Sequence, residues 1–389
     1  MSGKFIIKRL IAVITAFAVS MLFTAASSAN TLQKDKKREY KASYVLMEAS
    51  TGSVIRSHDG DVPVNMGSFN KLMVVLLAAE AVERGEMSFD TVITASENAN
   101  SKQGAQIWLM PGEKMTLGDL MKAIIIGNAN DACCAVGEAL GGSEAGCTEL
   151  MNNRARELMM NDTVFTECTG YYDDQNQHTT ASDGAKLLCR LSEFDFLTEL
   201  FTTRLDELKD GGVQLVTSNP MGHNYKGSVG FKCGTGPASG YFAAEGAMRE
   251  GVTYVCCVMD CKDEDTALAL AKELLGIAFE GYTLVTPELP EKMPGTIKVK
   301  QGVKPEARLS VEAPGAIVVP KGSGDDIKAE IYLPSYIYAP LKRGDKAGEM
   351  RYYLGGRLLK SCNINSADDI ETKNIKNVLW KLMKFLVSF

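Results

Sequence analysis

Ser68 and Lys71 stand three residues apart, at the head of an apolar run over residues 72–79. On a helix, positions three apart share a face, so a hydroxyl and an amine at this spacing fall within hydrogen-bond reach. Serine is a weak nucleophile until a neighbouring base takes its proton. Lysine can be that base if burial and nearby positive charge lower its pKa, and the apolar residues after Lys71 supply the burial. Alone, the pair says little, because both residue types are common. Two further polar clusters follow along the chain, Asn128-Ala129-Asn130 and Lys232-Cys233-Gly234. A serine-histidine-aspartate arrangement has only His58, His178 and His223 to draw on, each read as structural or surface. The Gly-x-Ser-x-Gly turn of α/β-hydrolases is absent as well.

The surrounding pattern predicts the elements that would hold these groups. Residues 44–48 and 53–56 read as a hairpin. Helices are expected from Ser68 to about Gly85 and over 117–126, 131–140, 145–158 and 181–192, where good helix formers recur with helical period. Residues 231–232 and 251–260 read as strands, the second apolar enough to be central, and 266–279 as a further helix. Strands, then helices, then strands again is an α+β layout. Composition changes at 287–294, where three prolines fall close together, and short alternating segments beyond it (296–299, 307–311, 316–319, 327–332, 350–353) predict a small all-β domain.

The two ends read differently. Lys4, Lys8 and Arg9 precede an apolar run over residues 10–23 and small residues over 25–29, the layout of a cleaved secretory signal peptide (1–29). A polar linker (30–40) follows, then the domain carrying the three polar clusters (41–284), the β domain (285–370) and a terminal segment (371–389). In that segment apolar residues at 375, 378, 379, 382, 386 and 389 share a helical face opposite Lys381 and Lys384, which predicts an amphipathic helix lying in a membrane interface. The chain is thus expected to be exported. A net charge of −6 without a basic stripe argues against nucleic-acid binding. The ten cysteines include two adjacent pairs, Cys133-Cys134 and Cys256-Cys257, in apolar segments. They read as small hydrophobes, and so many free thiols fit a reducing habitat. No Cys-x-x-Cys or Cys/His ligand spacing is present, which argues against zinc.

Ser-x-x-Lys, Ser-x-Asn and Lys-Thr-Gly, in that order, mark penicillin-binding proteins and class A β-lactamases. In spacing and surroundings this chain resembles the D-alanyl-D-alanine carboxypeptidase branch. The resemblance is carried by residues 67–73 (GSFNKLM), 95–99 (ASENA), 110–113 (MPGE), 130–132 (NDA), 178–181 (HTTA) and 232–241, and by 339–360 in the C-terminal region. It implies a penicillin-binding/β-lactamase-like transpeptidase fold with a smaller C-terminal β domain, an element that β-lactamases lack. It also implies a mechanism. Ser68 would attack the carbonyl between two D-alanines of a peptidoglycan stem peptide and form an acyl-enzyme, with Lys71 accepting its proton. Asn130 would bind the substrate backbone and Lys232 its terminal carboxylate, with Asn128, Cys233, Gly234 and Thr235 completing the substrate site. The backbone N–H groups of Ser68 and Thr235 would form the oxyanion hole. β-Lactams would inhibit, and no metal or organic cofactor is implied. Three positions depart from the pattern: Asn128 replaces a proton-relaying Ser, Cys233 replaces Thr, and Thr253 stands where a carboxylate-binding Arg is expected. The alternative reading is therefore a catalytically degenerate penicillin-binding protein that binds wall peptides without efficient turnover.

Overall fold

A computed structural model describes residues 41–373 except 173, 175, 237, 238 and 291; beyond Lys373 it describes only Trp380 and Met383. The signal peptide, the linker and nearly all of the amphipathic helix expected from the sequence lie outside the described residues.

Strands β1 (Ser43–Glu48) and β2 (Ser53–His58) form the expected hairpin. A 3-10 turn over Gly67–Asn70 then opens into helix α1 (Lys71–Glu83). Next come β3 (Val92–Thr94), α2 (Glu97–Ser101), β4 (Lys114–Thr116), α3 (Leu117–Ile125), α4 (Asn130–Gly141), α5 (Glu144–Glu157), α6 (Ala181–Leu191) and α7 (Asp195–Thr202). Side chains start four of these helices: Ser96, Thr116, Ser143 and Thr180 each accept a backbone N–H three residues on, satisfying donors the helix leaves open. A short hairpin, β5 (Leu205–Leu208) and β6 (Val213–Val216), and α8 (Pro220–Asn224) lead back to the main sheet. Strands β7 (Ser228–Gly234), β8 (Tyr241–Arg249) and β9 (Val252–Cys261) complete that sheet, and α9 (Glu264–Gly281) follows, its first turn capped by Asp263.

The sheet is antiparallel in the order β2-β1-β9-β8-β7, so the apolar strand β9 is central, as expected. Its two faces bury separate cores. Phe69, Leu72, Ala244, Val255 and Cys257 pack with the helices on one side. Leu46, Cys233, Ala243, Cys256 and Val258 pack against α9 on the other. Strand β8 carries no sequence signal, because YFAAEGAMR has no β-branched residue; the strand is recruited by pairing on both edges, not by propensity.

Between residues 282 and 373 the described chain is β apart from a 3-10 turn at Gly324–Asp326. Strands β10 (Tyr282–Val285), β11 (Thr296–Lys300), β12 (Glu306–Val311), β13 (Ile317–Pro320), β14 (Lys328–Tyr332), β15 (Ile337–Tyr338), β16 (Lys346–Leu354) and β17 (Arg357–Ser366) follow in turn. Six of them form a sheet in the order β14-β16-β17-β12-β11-β15, while β10 pairs with β13. This region has its own apolar clusters around Ala307 and Ile370 and around Met350 and Ile364. Among the described residues no helix is long and apolar enough to cross a membrane, and all ten cysteines are free.

One buried acid makes this fold sensitive to pH. Glu245 on β8 accepts a hydrogen bond from Asn219 Nδ2 at 3.1 Å, its other oxygen has no partner, and burial pushes its carboxyl up to about 8. The folded state therefore keeps a proton that the unfolded chain loses above its ordinary carboxylate range. The stability this group contributes is full below that range and falls, by about 1.4 kcal/mol per pH unit, until Glu245 ionises near pH 8. Glu245→Gln preserves the acceptor for Asn219 and removes that slope. Its melting temperature should exceed that of the parent protein at pH 8 by clearly more than at pH 5; an equal difference at both pH values would refute the assignment.

Candidate active site

Ser68 sits in the 3-10 turn, where three stretches of main chain meet. A Cβ placed on Gly170 would lie 1.7 Å from the Gly67 carbonyl oxygen, and one on Gly236 would lie 2.6 Å from Gly67 Cα. The turn can press against both neighbours only because all three residues are glycine. In front of the hydroxyl lies the end of β7, where a Cβ on Gly234 would come 2.8 Å from Ser68 Oγ. Only a residue without a side chain lets the strand end pass this close to the hydroxyl. Ser68 Oγ is buried and has no hydrogen-bond partner among the described residues.

Two lysines flank it. Lys71, the first residue of α1, is 2 % exposed, and burial lowers its pKa. Its Nζ donates to the Thr169 carbonyl at 2.7 Å, and no hydrogen bond joins it to Ser68 Oγ. The spacing thus brings hydroxyl and amine into one buried turn, while the expected direct bond is replaced by one to the 167–170 loop. Lys232, pointing from β7, is held down to about 7 by burial first and by the Lys71 charge second. Its Nζ donates to Asn128 Oδ1 at 2.6 Å. A second ammonium in a dry pocket is costly, which keeps one of the two amines prone to be neutral.

Asn130 starts α4. Its backbone N–H donates to Ala105 O at 2.7 Å and its Nδ2 to Gln103 O, while Oδ1 is buried without a partner. The adjacent Asp131 carboxylate accepts the backbone N–H groups of Ile107 and Leu109, tying the 103–109 segment to α4. On the opposite wall the Glu167 carboxylate accepts N–H groups from Thr169 and Gly170, and Asn70 Nδ2 donates to Glu167 O and Gln177 Oε1. Asp131, Glu167, Thr169 and Asn70 were not singled out from the sequence. Asp131 was legible beside Asn130; the others act through a loop with no recognisable pattern. None of the three histidines approaches Ser68 by hydrogen bond: His58 stacks on Tyr44, His178 Nδ1 bonds Asn176 O, and His223 is exposed on α8.

The structure thus places a buried serine, two lysines and an asparagine at a helix start near one another, and comparison with known proteins gives the family. The family model for D-alanyl-D-alanine carboxypeptidase matches residues 23–263, and that for the C-terminal domain of penicillin-binding protein 5 matches residues 287–372. The chain belongs to the D-alanyl-D-alanine carboxypeptidase family. It is 30% identical over 289 residues to D-alanyl-D-alanine carboxypeptidase DacF of Bacillus subtilis, covering 72% of this chain and 74% of that one. Its fold resembles penicillin-binding protein 5 from Haemophilus influenzae, with a TM-score of 0.76, 22% identity, and coverage of 87% of this chain and 100% of that one. It also resembles penicillin-binding protein D2 from Listeria monocytogenes in its ampicillin-bound form, with a TM-score of 0.55, 23% identity, and coverage of 61% and 96%.

Against the carboxypeptidase pattern, the departures fall in three different places. Asn128 takes a left-handed conformation, φ 56°, that asparagine tolerates, and its amide serves as hydrogen-bond acceptor for Lys232. Cys233 was expected among the substrate-binding side chains, but alternation along β7 turns it away from Lys232. Its Sγ packs in the α9 core, 3.2 Å from Ser218 O and 3.6 Å from Glu264 Oε1. Its thiol therefore lies on the far face of the sheet. Thr253 is likewise misplaced as a carboxylate position: it pairs with Met248, whereas the cleft end of the sheet is where Gly234 meets Phe242 and Tyr241 meets Cys261. Thr235 lies beside the nucleophile, but its carbonyl accepts the Ser68 N–H at 3.3 Å and its hydroxyl is turned to Gly240 O at 3.2 Å. The Ser68 N–H, implied as half of an oxyanion hole, is engaged by that carbonyl in this structure.

Proposed function

We propose that this carboxypeptidase-family chain removes the terminal D-alanine from peptidoglycan stem peptides through an acyl-enzyme on Ser68, and that β-lactams acylate the same residue. The observation that carries this reading is the buried Ser68 Oγ, without a hydrogen-bond partner among the described residues, set against the side-chain-free strand end at Gly234 and near two lysines whose pKa values are lowered. Lys71, its pKa lowered by burial, accepts the hydroxyl proton in its unprotonated form. Lys232 in its protonated form attracts the substrate carboxylate, with Asn128 holding its ammonium in place. The free Asn130 Oδ1 accepts an N–H of the substrate backbone, which would satisfy an otherwise lone buried acceptor. Water then releases the shortened peptide. Gly234 and Thr235 contribute backbone to the substrate wall; Cys233 contributes only through its main chain.

The test is D-alanine release from a stem pentapeptide across pH, together with mass spectrometry of the protein after exposure to a β-lactam. An adduct on Ser68 and catalytic release of D-alanine are expected. Because Lys232 loses its proton as pH rises through about 7, kcat/KM should decline above that value. The kcat value should decline later, since a bound carboxylate raises the lysine's pKa. An adduct elsewhere would overturn the site, and an adduct without D-alanine release would favour the degenerate alternative. A kcat/KM still climbing at pH 9 would remove Lys232 from carboxylate recognition.

Residues 1–29 would direct export, and residues 371–389 would hold the protein on the outer face of the cell membrane through an amphipathic helix. The lysines and the apolar face of that segment support this reading. Deleting 375–389 should move the protein from the membrane to the soluble fraction; unchanged fractionation would dismiss the anchor.

A further inference from the structure

Behind the wall that carries Lys71 lies a cluster of groups the reaction does not use. Cys134 on α4, Glu144 at the start of α5 and Cys168 in the following loop bring their ligand atoms within 4.8 Å of one another. Cys147, one turn further along α5, has its thiol beside Cys168: a Cβ on Gly137 would touch both sulfurs, at 2.9 and 3.6 Å. All three cysteines are buried. The sulfur of Cys134 accepts an amide hydrogen bond from Asn98 Nδ2 at 3.2 Å. A neutral thiol is a poor acceptor, whereas a metal-bound thiolate is commonly supported by such a donor. Glu144 is held the same way. Lys102 Nζ grips Oε2 at 2.6 Å and Asn98 Nδ2 reaches it at 3.0 Å, leaving Oε1 turned to Cys168 Sγ at 3.4 Å.

We propose that Cys134, Cys147, Cys168 and Glu144 form a structural site for a soft divalent cation of the zinc class. Three sulfurs and one carboxylate oxygen make a closed four-ligand set, the form of structural zinc sites. Sulfur atoms on a tetrahedral zinc stand about 3.8 Å apart, so Cys134, Glu144 and Cys168 need to close by about 1 Å, and Cys147, which lies outside that group, must move further. Loading requires no oxidant: three thiols and one carboxylate take up the cation and release three protons. The resulting anionic complex faces the Lys102 ammonium. Cys133 stays outside the set, since its Sγ donates to the Cys168 carbonyl at 3.3 Å. The sequence-based argument against zinc rests on local spacings and does not reach such a site. The ligands come from two helices and a loop, at spacings of 13 and 21 residues between successive cysteines, and no local motif marks them.

Such a cation would staple α4, which begins with Asn130, to α5 and to the loop whose Thr169 carbonyl holds Lys71. The inference does not depend on the carboxypeptidase reading. It is tested on the full chain, purified under reducing conditions, loaded with Zn2+ or Co2+ and freed of excess metal. We expect one zinc per chain by elemental analysis, a thiolate-to-cobalt charge-transfer absorption, and a melting temperature several degrees above that of the chelator-treated protein. Cys168→Ser should lose the stoichiometric metal, while Cys189→Ser, whose thiol lies against Met47 Sδ, should keep it. Asn98→Ala leaves every ligand in place and should weaken zinc binding by about 10–100-fold, which keeps the test open if Cys168→Ser fails to fold. Absence of metal from the loaded parent protein, retention of metal by Cys168→Ser, or a mass two hydrogens low, marking a disulfide within the cluster, would each overturn the proposal.

Discussion

Lys71→Gln should slow acylation by a β-lactam by about 10²–10⁴-fold, the range of a lost general base, while the protein stays folded. Glutamine can still donate to the Thr169 carbonyl that Lys71 now engages at 2.7 Å, so the loop keeps its partner, but an amide cannot take the serine's proton. A second readout separates this role from a packing role. The charge on Lys71 is the second cause of the lowered pKa of Lys232, after burial. Without that charge Lys232 titrates higher, and whatever activity remains should persist to higher pH than in the parent protein. An acylation rate within tenfold of the parent, or a pH profile that does not move, would take Lys71 out of the mechanism.

Gly234→Ala tests the space instead of the base. The added methyl would stand 2.8 Å from Ser68 Oγ, inside contact distance, and 3.5 Å from the Phe242 ring, which is ordinary packing. The hydroxyl must therefore rotate away or the strand end must retreat, and a displacement of that size at a reacting atom costs on the order of 10²-fold. We expect acylation and D-alanine release to fall together by at least that factor. Acylation at the parental rate would mean that the substrate carbonyl approaches Ser68 from another side.

The parts of the site that could be read from the sequence are those set by short-range geometry. Ser68 and Lys71 belong to one helical turn, Asn130 to a helix start, and Lys232 and Gly234 to alternate positions of one strand. Each appears as a local pattern, although the direct bond that spacing predicts between Ser68 and Lys71 gives way to one from Lys71 to the Thr169 carbonyl. The same alternation was available for Cys233 and went unused: a residue between two cleft-facing positions of a strand must face the other way. Thr253 was misjudged because strand register decides which end of β9 reaches the cleft, and register depends on β8, which its alanine and glycine content hid. The Glu167–Gly170 loop and the cysteine cluster were illegible for a third reason. Their groups converge from segments far apart in the chain, and nothing in any one segment marks the meeting point. In the C-terminal region the alternating segments were found, but β17 was passed over because its sequence, RLLKSCNINS, is polar at so many positions.

The meeting of Gly67, Gly170 and Gly236 behind Ser68 bears on how this enzyme could change under antibiotic pressure. Side chains can repack by hopping between rotamers; backbone pressed on backbone has no such freedom. A substitution at any of the three would drive a carbon into a neighbouring peptide unit, moving the nucleophile as a block. Resistance that spares wall chemistry is therefore expected at positions other than these three glycines, because the rear of the pocket has no slack to yield.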